Sequence, residues 1–225
     1  MPRGLFITFE GIEGSGKTTQ IRLAAEVLRR RGVSCLCTEE PGGTDLGRRI
    51  REILLNRSET TICPEAEWLL FSAARVQHVR ERILPALGRG EWVLCDRFAD
   101  ATLAYQGYGR GIAPEVLETL AGVAAQGLVP DRTLLLDLPV KAGLARARQR
   151  IAQKAGADRE DRFEQEEEAF HRRVREGYLA LARRHPDRFR VLDASVSIPA
   201  LHAAVCGHLS ALTAPDPSAA GGGPP

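Results

Sequence analysis

The chain lacks any apolar run approaching the length of a membrane span, which takes about 20 apolar residues. No membrane partner is expected. It also lacks an excess of either charge: 31 Lys and Arg stand against 29 Asp and Glu, for a formal net charge of +2. Capture of nucleic acid through bulk charge needs a far more basic surface, so no nucleic-acid partner is expected either. The five cysteines, Cys35, Cys37, Cys63, Cys95 and Cys206, include no C-x-x-C pair, which argues against a zinc or dithiol redox centre. Cys35 and Cys37 share one face of a predicted strand and read as small hydrophobes in a reducing compartment. With no signal-peptide pattern at the start, the expected location is the cytoplasm. There is no internal repeat, and 225 residues leave room for one α/β domain with a real core but not for two.

What the chain does have is the stretch Gly11-Ile12-Glu13-Gly14-Ser15-Gly16-Lys17-Thr18, which matches the phosphate-binding pattern G-x-x-x-x-G-K-[ST]. Leu5 to Phe9 before it reads as a short buried strand. Lys17 to Arg31 after it carries Ile21, Leu23, Ala24, Val27 and Leu28 at helical spacing. Strand, loop and helix are the context the motif requires. Its glycines let the backbone wrap a phosphate without Cβ atoms in the way, and its N–H groups with the helix N-terminus attract an anion. The stretch Gly11 to Thr19 is therefore the candidate ATP site, with Lys17 on the β- and γ-phosphates and Thr18 on Mg²⁺.

Further strands are predicted at Val33–Thr38, Trp92–Asp96, Thr133–Asp137 and Phe189–Ala194, alternating with helices from Leu46, Pro64, Pro114, Lys141, Phe163 and Ile198. That alternation predicts an α/β fold of the P-loop type: a central five-stranded parallel sheet with the phosphate loop near its middle and helices on both faces. Asp96 ends an apolar strand, so its carboxylate is predicted to reach the metal, and Arg97 beside it suits a bidentate phosphate contact. One of Arg48, Arg49 and Arg51 could clamp a second anion. The long helical pattern from Pro64 to Leu87 sets Trp68, Leu69, Phe71, Val76, Val79 and Ile83 largely on one side. Phe71 and Arg75, one turn apart, read on spacing alone as a core aromatic and a surface cation. The basic run with Arg146, Arg148 and Arg150, broken at Gly156, fits a solvated face and a phosphate-covering lid equally well. From about Thr213 the Pro- and Gly-rich tail reads as disordered.

A P-loop alone says only that a nucleoside triphosphate binds. A GTPase switch needs an N-K-x-D segment, which is missing. A motor or loading ATPase usually brings further domains. Arginines and polar residues after several strand ends favour a phosphotransferase with two anionic substrates side by side.

The segments Phe9 to Thr19, Glu40-Pro41-Gly42-Gly43-Thr44, Leu70-Phe71-Ser72-Ala73-Ala74-Arg75 and Asp96-Arg97-Phe98-Ala99-Asp100-Ala101-Thr102-Leu103-Ala104-Tyr105-Gln106-Gly107 resemble bacterial thymidylate kinases. The resemblance runs from Leu5 to about Leu212 and implies one domain over 1–212, a lid at about 146–163 and a separate tail over 213–225. It implies ATP-dependent phosphorylation of dTMP to dTDP, for dTTP synthesis, with Mg²⁺, and a homodimer. Carried onto matching residues, it gives Arg97 and Arg51 to the dTMP phosphate and Glu13 to the vicinity of the 3′-hydroxyl. Phe71 would stack on the base and Arg75 would bond a base carbonyl, reversing the reading from spacing. Thr102 and Gln106 would line the base site, and Tyr105 would lie under the sugar, crowding a 2′-hydroxyl. The loop residues Glu13, Gly14 and Ser15 supply no arginine, so the catalytic cation is expected from the lid: Arg148, Arg150, Arg159 or Arg162. The chain departs from the family at Ala101, where many members carry serine, and in a longer stretch between Arg150 and Arg162.

Overall fold

The computed structural model describes residues 3–56, 61–153 and 162–213. Five parallel strands, β1 (Phe6–Glu10), β2 (Cys35–Glu39), β3 (Trp92–Asp96), β4 (Arg132–Asp137) and β5 (Phe189–Asp193), lie in the order β2-β3-β1-β4-β5. The strand that feeds the phosphate loop is thus the central one. Every residue of β1 is buried, and so are the first four of β3, because helices cover both faces of a parallel sheet. Side chains of β1 alternate between two apolar layers. Phe6 packs with Val93, Val79, Ile83 and Phe98 on one face, and Ile7 and Phe9 pack with Ile21, Leu28 and Tyr178 on the other. Thr8 and Glu10 are the polar residues of β1; the Thr8 hydroxyl pairs with that of Thr133 at 2.9 Å, so neither hydroxyl is buried without a partner.

The helices are α1 (Lys17–Arg30), α2 (Asp45–Leu55), α3 (Pro64–His78), α4 (Leu84–Gly88), α5 (Ala99–Thr102), α6 (Pro114–Ala124), α7 (Val140–Gln153), α8 (Glu168–Arg184) and α9 (Ile198–Thr213). The helix expected to run unbroken from Pro64 to Leu87 instead passes through a π-helical turn, Val79–Ile83, between α3 and α4. Pro85 cannot donate to the carbonyl of Glu81 and its ring crowds that oxygen, so the ladder widens just ahead of it. The expected single apolar side is also corrected. Trp68, Val79 and Ile83 are buried, but Leu69 and Val76, seven positions apart, face solvent.

A second π-helical segment, Leu103–Gly109, follows α5 in a region where no element was expected. Two glycines there weaken helix propensity, and packing against α8 overrides it. A Cβ on Gly109 would sit 2.6 Å from the Phe170 ring, and one on Gly177 would sit 2.7 Å from the Tyr108 ring. The helix expected from Phe163 is two elements, a 3₁₀ turn at Phe163–Gln165 and then α8. Glu167 holds the N-cap position of α8 without a side-chain cap bond and Glu168 lies in the first turn, where acidic side chains favour the helix dipole, so α8 starts at the acids. The central part of the proposed lid, 154–161, and the tail, 214–225, lie outside the described residues.

Candidate active site

The loop between β1 and α1 turns through glycines. Gly16, the N-cap of α1, has φ 89°, and a Cβ there would meet nothing; conformation rather than space selects glycine. At Gly14 (φ 71°) space matters as well, since a Cβ would lie 2.2 Å from the carbonyl oxygen of Gly143 on α7. Lys17 opens α1. Its Nζ donates to the carbonyls of Gly11 and Ile12, both at 3.1 Å. Burial, with the charge of Arg97, pulls its pKa down to about 8. Ile12 is buried, so it offers the site only backbone, while Thr19 and Gly16 line an open depression over the loop.

Parallel pairing sets Phe9 opposite Asp96, and this brings the tip of β3 to the start of α1. Thr18 Oγ1 donates to Asp96 Oδ2 at 2.6 Å. A hydroxyl and a carboxylate side by side at a phosphate loop are hard oxygen donors of the kind Mg²⁺ takes. Among the described residues no group of three His, Cys, Asp or Glu could hold a metal by itself, so the phosphates would have to complete such a site.

Arg97 has φ 69°, a left-handed conformation that costs a non-glycine residue about 1–3 kcal/mol. Backbone bonds hold it there: Arg97 N donates to Phe9 O at 3.0 Å and Phe98 N to Glu10 Oε1 at 2.7 Å. The second Glu10 oxygen accepts from Tyr178 Oη at 2.7 Å. Burial and the charge of Asp100 push the Glu10 pKa up to about 8. The kinked backbone turns the Arg97 guanidinium into the cleft, where it donates to Gly11 O (3.0 Å), Tyr178 Oη (3.1 Å) and Glu13 Oε1 (3.0 Å). Tyr105 also donates to Glu13 Oε1, at 2.5 Å. His171 Nδ1 lies 3.2 Å from Glu13 Oε2, a close approach without hydrogen-bond alignment. Burial would raise the Glu13 pKa, but His171, Arg97 and Tyr105 together hold it well below the usual carboxylate range.

The far end of the cleft is built on Arg75, which is 2% exposed. It is not the surface cation that spacing implied, and Phe71 is a half-buried wall of the cleft rather than a core ring. Arg75 Nε donates to Glu40 at 2.8 Å, and its Nη2 to Phe98 O at 3.1 Å and Thr102 Oγ1 at 3.0 Å. Glu40 is fixed in turn by His78, 3.0 Å away, which pairs with Thr38 at 2.6 Å. Arg75 Nη1 is buried and has no partner among the described residues. A buried guanidinium nitrogen left over at a cleft wall is a donor for a ligand acceptor. Thr102, Tyr105, Gln106 and Ala101 line the same wall.

Arg51 donates to Pro41 O at 2.9 Å and to Glu39 at 3.2 Å, and lines both the cleft and the open depression. The lid candidates separate. Arg150 lines both spaces and pairs with Glu164 at 3.2 Å. Arg162 lines the cleft but is engaged by Leu54 O and Glu67, each at 2.5 Å. Arg148 is exposed on α7 and lines neither. Arg159 lies outside the described residues. Sequence reasoning assigned no role to Glu10, Glu40, Glu67, His78, Arg110, His171 or Tyr178. Glu10 had a signal, a carboxylate closing an apolar strand like Asp96. The others sit on helices or loops where a charged or polar residue is unremarkable until its distant partner is known.

A sequence model described as thymidylate kinase matches residues 9–205. The thymidylate kinase of Syntrophus aciditrophicus is 57% identical over 207 residues, which span 92% of this chain and 94% of that protein. That of Methylococcus capsulatus is 51% identical over 214 residues, 95% of this chain and 99% of its own. The crystal structure of thymidylate kinase from Ehrlichia chaffeensis superposes with a TM-score of 0.72 at 33% identity, over 93% of this chain and 99% of that one.

Proposed function

The chain belongs to the thymidylate kinase family, and from that premise we propose that its two adjoining spaces hold ATP and dTMP, the γ-phosphoryl group passing between them to give dTDP and ADP. The observation that carries this is their junction: the depression over the phosphate loop and the cleft beside it share Gly14, Lys17, Thr18, Glu39, Arg51 and Arg150. A phosphoryl group leaving one ligand for the other crosses a seam that carries three cations, Lys17, Arg51 and Arg150, and one carboxylate, Glu39, which pairs with Arg51. The acceptor is a phosphate oxygen, already anionic at neutral pH, so alignment and charge stabilisation carry catalysis and no strong base is needed.

Lys17 holds the donor's β- and γ-phosphates. Thr18 and Asp96 would hold Mg²⁺, which supplies charge neutralisation on those oxygens when bound. Arg97 and Arg51 hold the acceptor phosphate in line, Glu13 and Tyr105 support Arg97 and face the sugar, and Phe71 stacks on the base with Arg75 Nη1 on a base carbonyl. Of the lid candidates we assign the transferring charge to Arg150. Arg150→Ala is expected to lower kcat by about 10²-fold, and Arg148→Ala to leave it unchanged; the reverse order would move the role to Arg148.

An ADP-release assay with ATP, Mg²⁺ and each of dTMP, dUMP, dCMP, dGMP, AMP and GMP tests the reading. Turnover should be fastest with dTMP, with dUMP behind it by a moderate factor, because one methyl group in an apolar pocket is worth about 1–3 kcal/mol. ATP turnover indifferent to every monophosphate would sink it.

We also propose a homodimer in the cytoplasm. Leu69 and Val76 on α3 and Val116, Leu120 and Val123 on α6 are exposed, and the two helices pack together; exposed apolar side chains on neighbouring helices are of the kind a second copy covers. Sedimentation velocity at micromolar concentration should show a dimer that Leu69→Glu with Val123→Glu converts to monomer; a monomeric parent would refute the assignment. All five cysteines are free, in keeping with a reducing compartment.

A further inference from the structure

Glu67 is wholly buried on α3 and does not line the cleft. Its Oε1 accepts from Gln106 Nε2 at 2.8 Å and from Arg110 Nε at 3.3 Å. Its Oε2 accepts from Arg110 Nη2 at 3.2 Å and Arg162 Nη2 at 2.5 Å. Burial alone would push the pKa of this carboxyl up, but the hydrogen bonds of Arg110 and Gln106 and the charges of Arg110 and Arg162 hold it below its ordinary value. Glu67 is therefore ionised, and an ionised carboxylate can only accept.

A glutamine side chain has one donor end and one acceptor end of nearly the same shape, and what surrounds it decides which way it turns. For Gln106 a neighbour decides. Its NH₂ must face Glu67, so its carbonyl oxygen is turned the other way. Gln106 lines the cleft beside Thr102, Arg75 and Phe71, and Glu67 does not. The end of Gln106 left for a ligand is an acceptor, and the end of Arg75 left for a ligand is a donor.

We infer that Glu67 is a positioning residue for base selection, acting through Gln106. The inference rests on the reading of this cleft as the base site of the acceptor nucleotide. With its carbonyl locked toward the cleft, Gln106 accepts the ring N3–H of thymine. Cytosine carries an unprotonated N3 there, an acceptor facing an acceptor, and the pair cannot be satisfied by flipping the amide, because flipping would set its carbonyl against the Glu67 carboxylate. Rejection of an acceptor-bearing base thus comes from a charge that never touches the base. Arg110 and Arg162 keep that charge ionised in a buried place. Arg110 also stacks on Phe170, 4.7 Å from the ring centroid, and pairs with Glu166 at 2.7 Å.

A purely structural Glu67 would affect all substrates together. The discriminating quantity is therefore the ratio of kcat/KM for dTMP to that for dCMP, measured on the full chain with ATP and Mg²⁺ for the parent, Glu67→Gln and the double variant Glu67→Gln/Gln106→Glu, with thermal melts to establish folding. In Glu67→Gln the neighbouring amide presents either end, Gln106 is free to flip, and the ratio should fall by about tenfold or more. The double variant moves the carboxylate to position 106, where both ends accept, and its ratio should return toward the parent's. It keeps one buried carboxylate within the pair, so it remains informative should the single variant not fold. A folded Glu67→Gln with the parent's ratio, or a folded double variant without selectivity for dTMP, overturns the role of Glu67. A parent that does not itself prefer dTMP to dCMP removes the base-site reading instead.

Discussion

Lys17→Ala is expected to lower kcat by at least about 10³-fold while the protein remains folded. The side chain is one of three cations, with Arg51 and Arg150, that the cleft and the open depression share, and it is the only ammonium among those three. Its loss should not cost stability at neutral pH. Burial pulls its pKa down to about 8, which means that the folded protein holds the charged amine less well than the unfolded chain does. For a lysine shifted in this direction the sign runs against stability at low pH: the penalty is full below about 8 and fades as pH rises from there toward the unfolded value. The thermal midpoint of Lys17→Ala at pH 7 should therefore equal or exceed the parent's. The same shift predicts that parent kcat/KM for ATP, which reports the free enzyme, falls as pH rises through about 8. A variant with parental turnover would remove Lys17 from the chemistry.

Arg97 permits a cleaner separation of fold from function. Arg97→Ala and Arg97→Gly both delete the guanidinium that lies between Gly11 O, Glu13 and Tyr178, and both should lose on the order of 10³-fold in kcat/KM for dTMP with ATP affinity little changed. They should differ in stability. At φ 69° alanine stays strained and glycine does not, so the glycine variant should be the more stable by about 1 kcal/mol. Equal loss of activity with unequal melting temperatures is the expected signature. Activity that tracked stability instead would mean that Arg97 matters only to the fold.

The features readable from sequence are those whose cause is local. The phosphate loop announces itself in eight consecutive residues, and the inner strands β1, β3 and β4 are mostly apolar because both faces of the sheet are covered there. Asp96 could be assigned from its place at the end of such a run. The burial of Arg75 could not, because its partner Glu40 lies 35 positions away and helical spacing describes only the helix it is on. The same holds for Glu67, whose partners Gln106 and Arg162 are 39 and 95 positions distant. Arg148 and Arg150 sit two apart on one helix, so they point to nearly opposite sides; with charge on both sides, only the packing of α7 against the phosphate loop tells which one faces the cleft. The π-helical turns were hidden for a different reason: their wider ladder answers to Pro85 in one case and to contact with α8 in the other.

That last contact bears on positional tolerance. Residues 108 and 109 touch α8 in opposite senses, the Tyr108 ring against bare backbone at Gly177 and bare backbone at Gly109 against the Phe170 ring. The two points are seven residues, about two turns, apart along α8. One point of purchase would stop a rod from sliding and leave it free to roll; two stop both. The residues next to those points are His171 and Tyr178, which meet Glu13 and Arg97. Their placement is indexed like a key with two teeth, and even one methyl group at either glycine would throw the cut out of gauge.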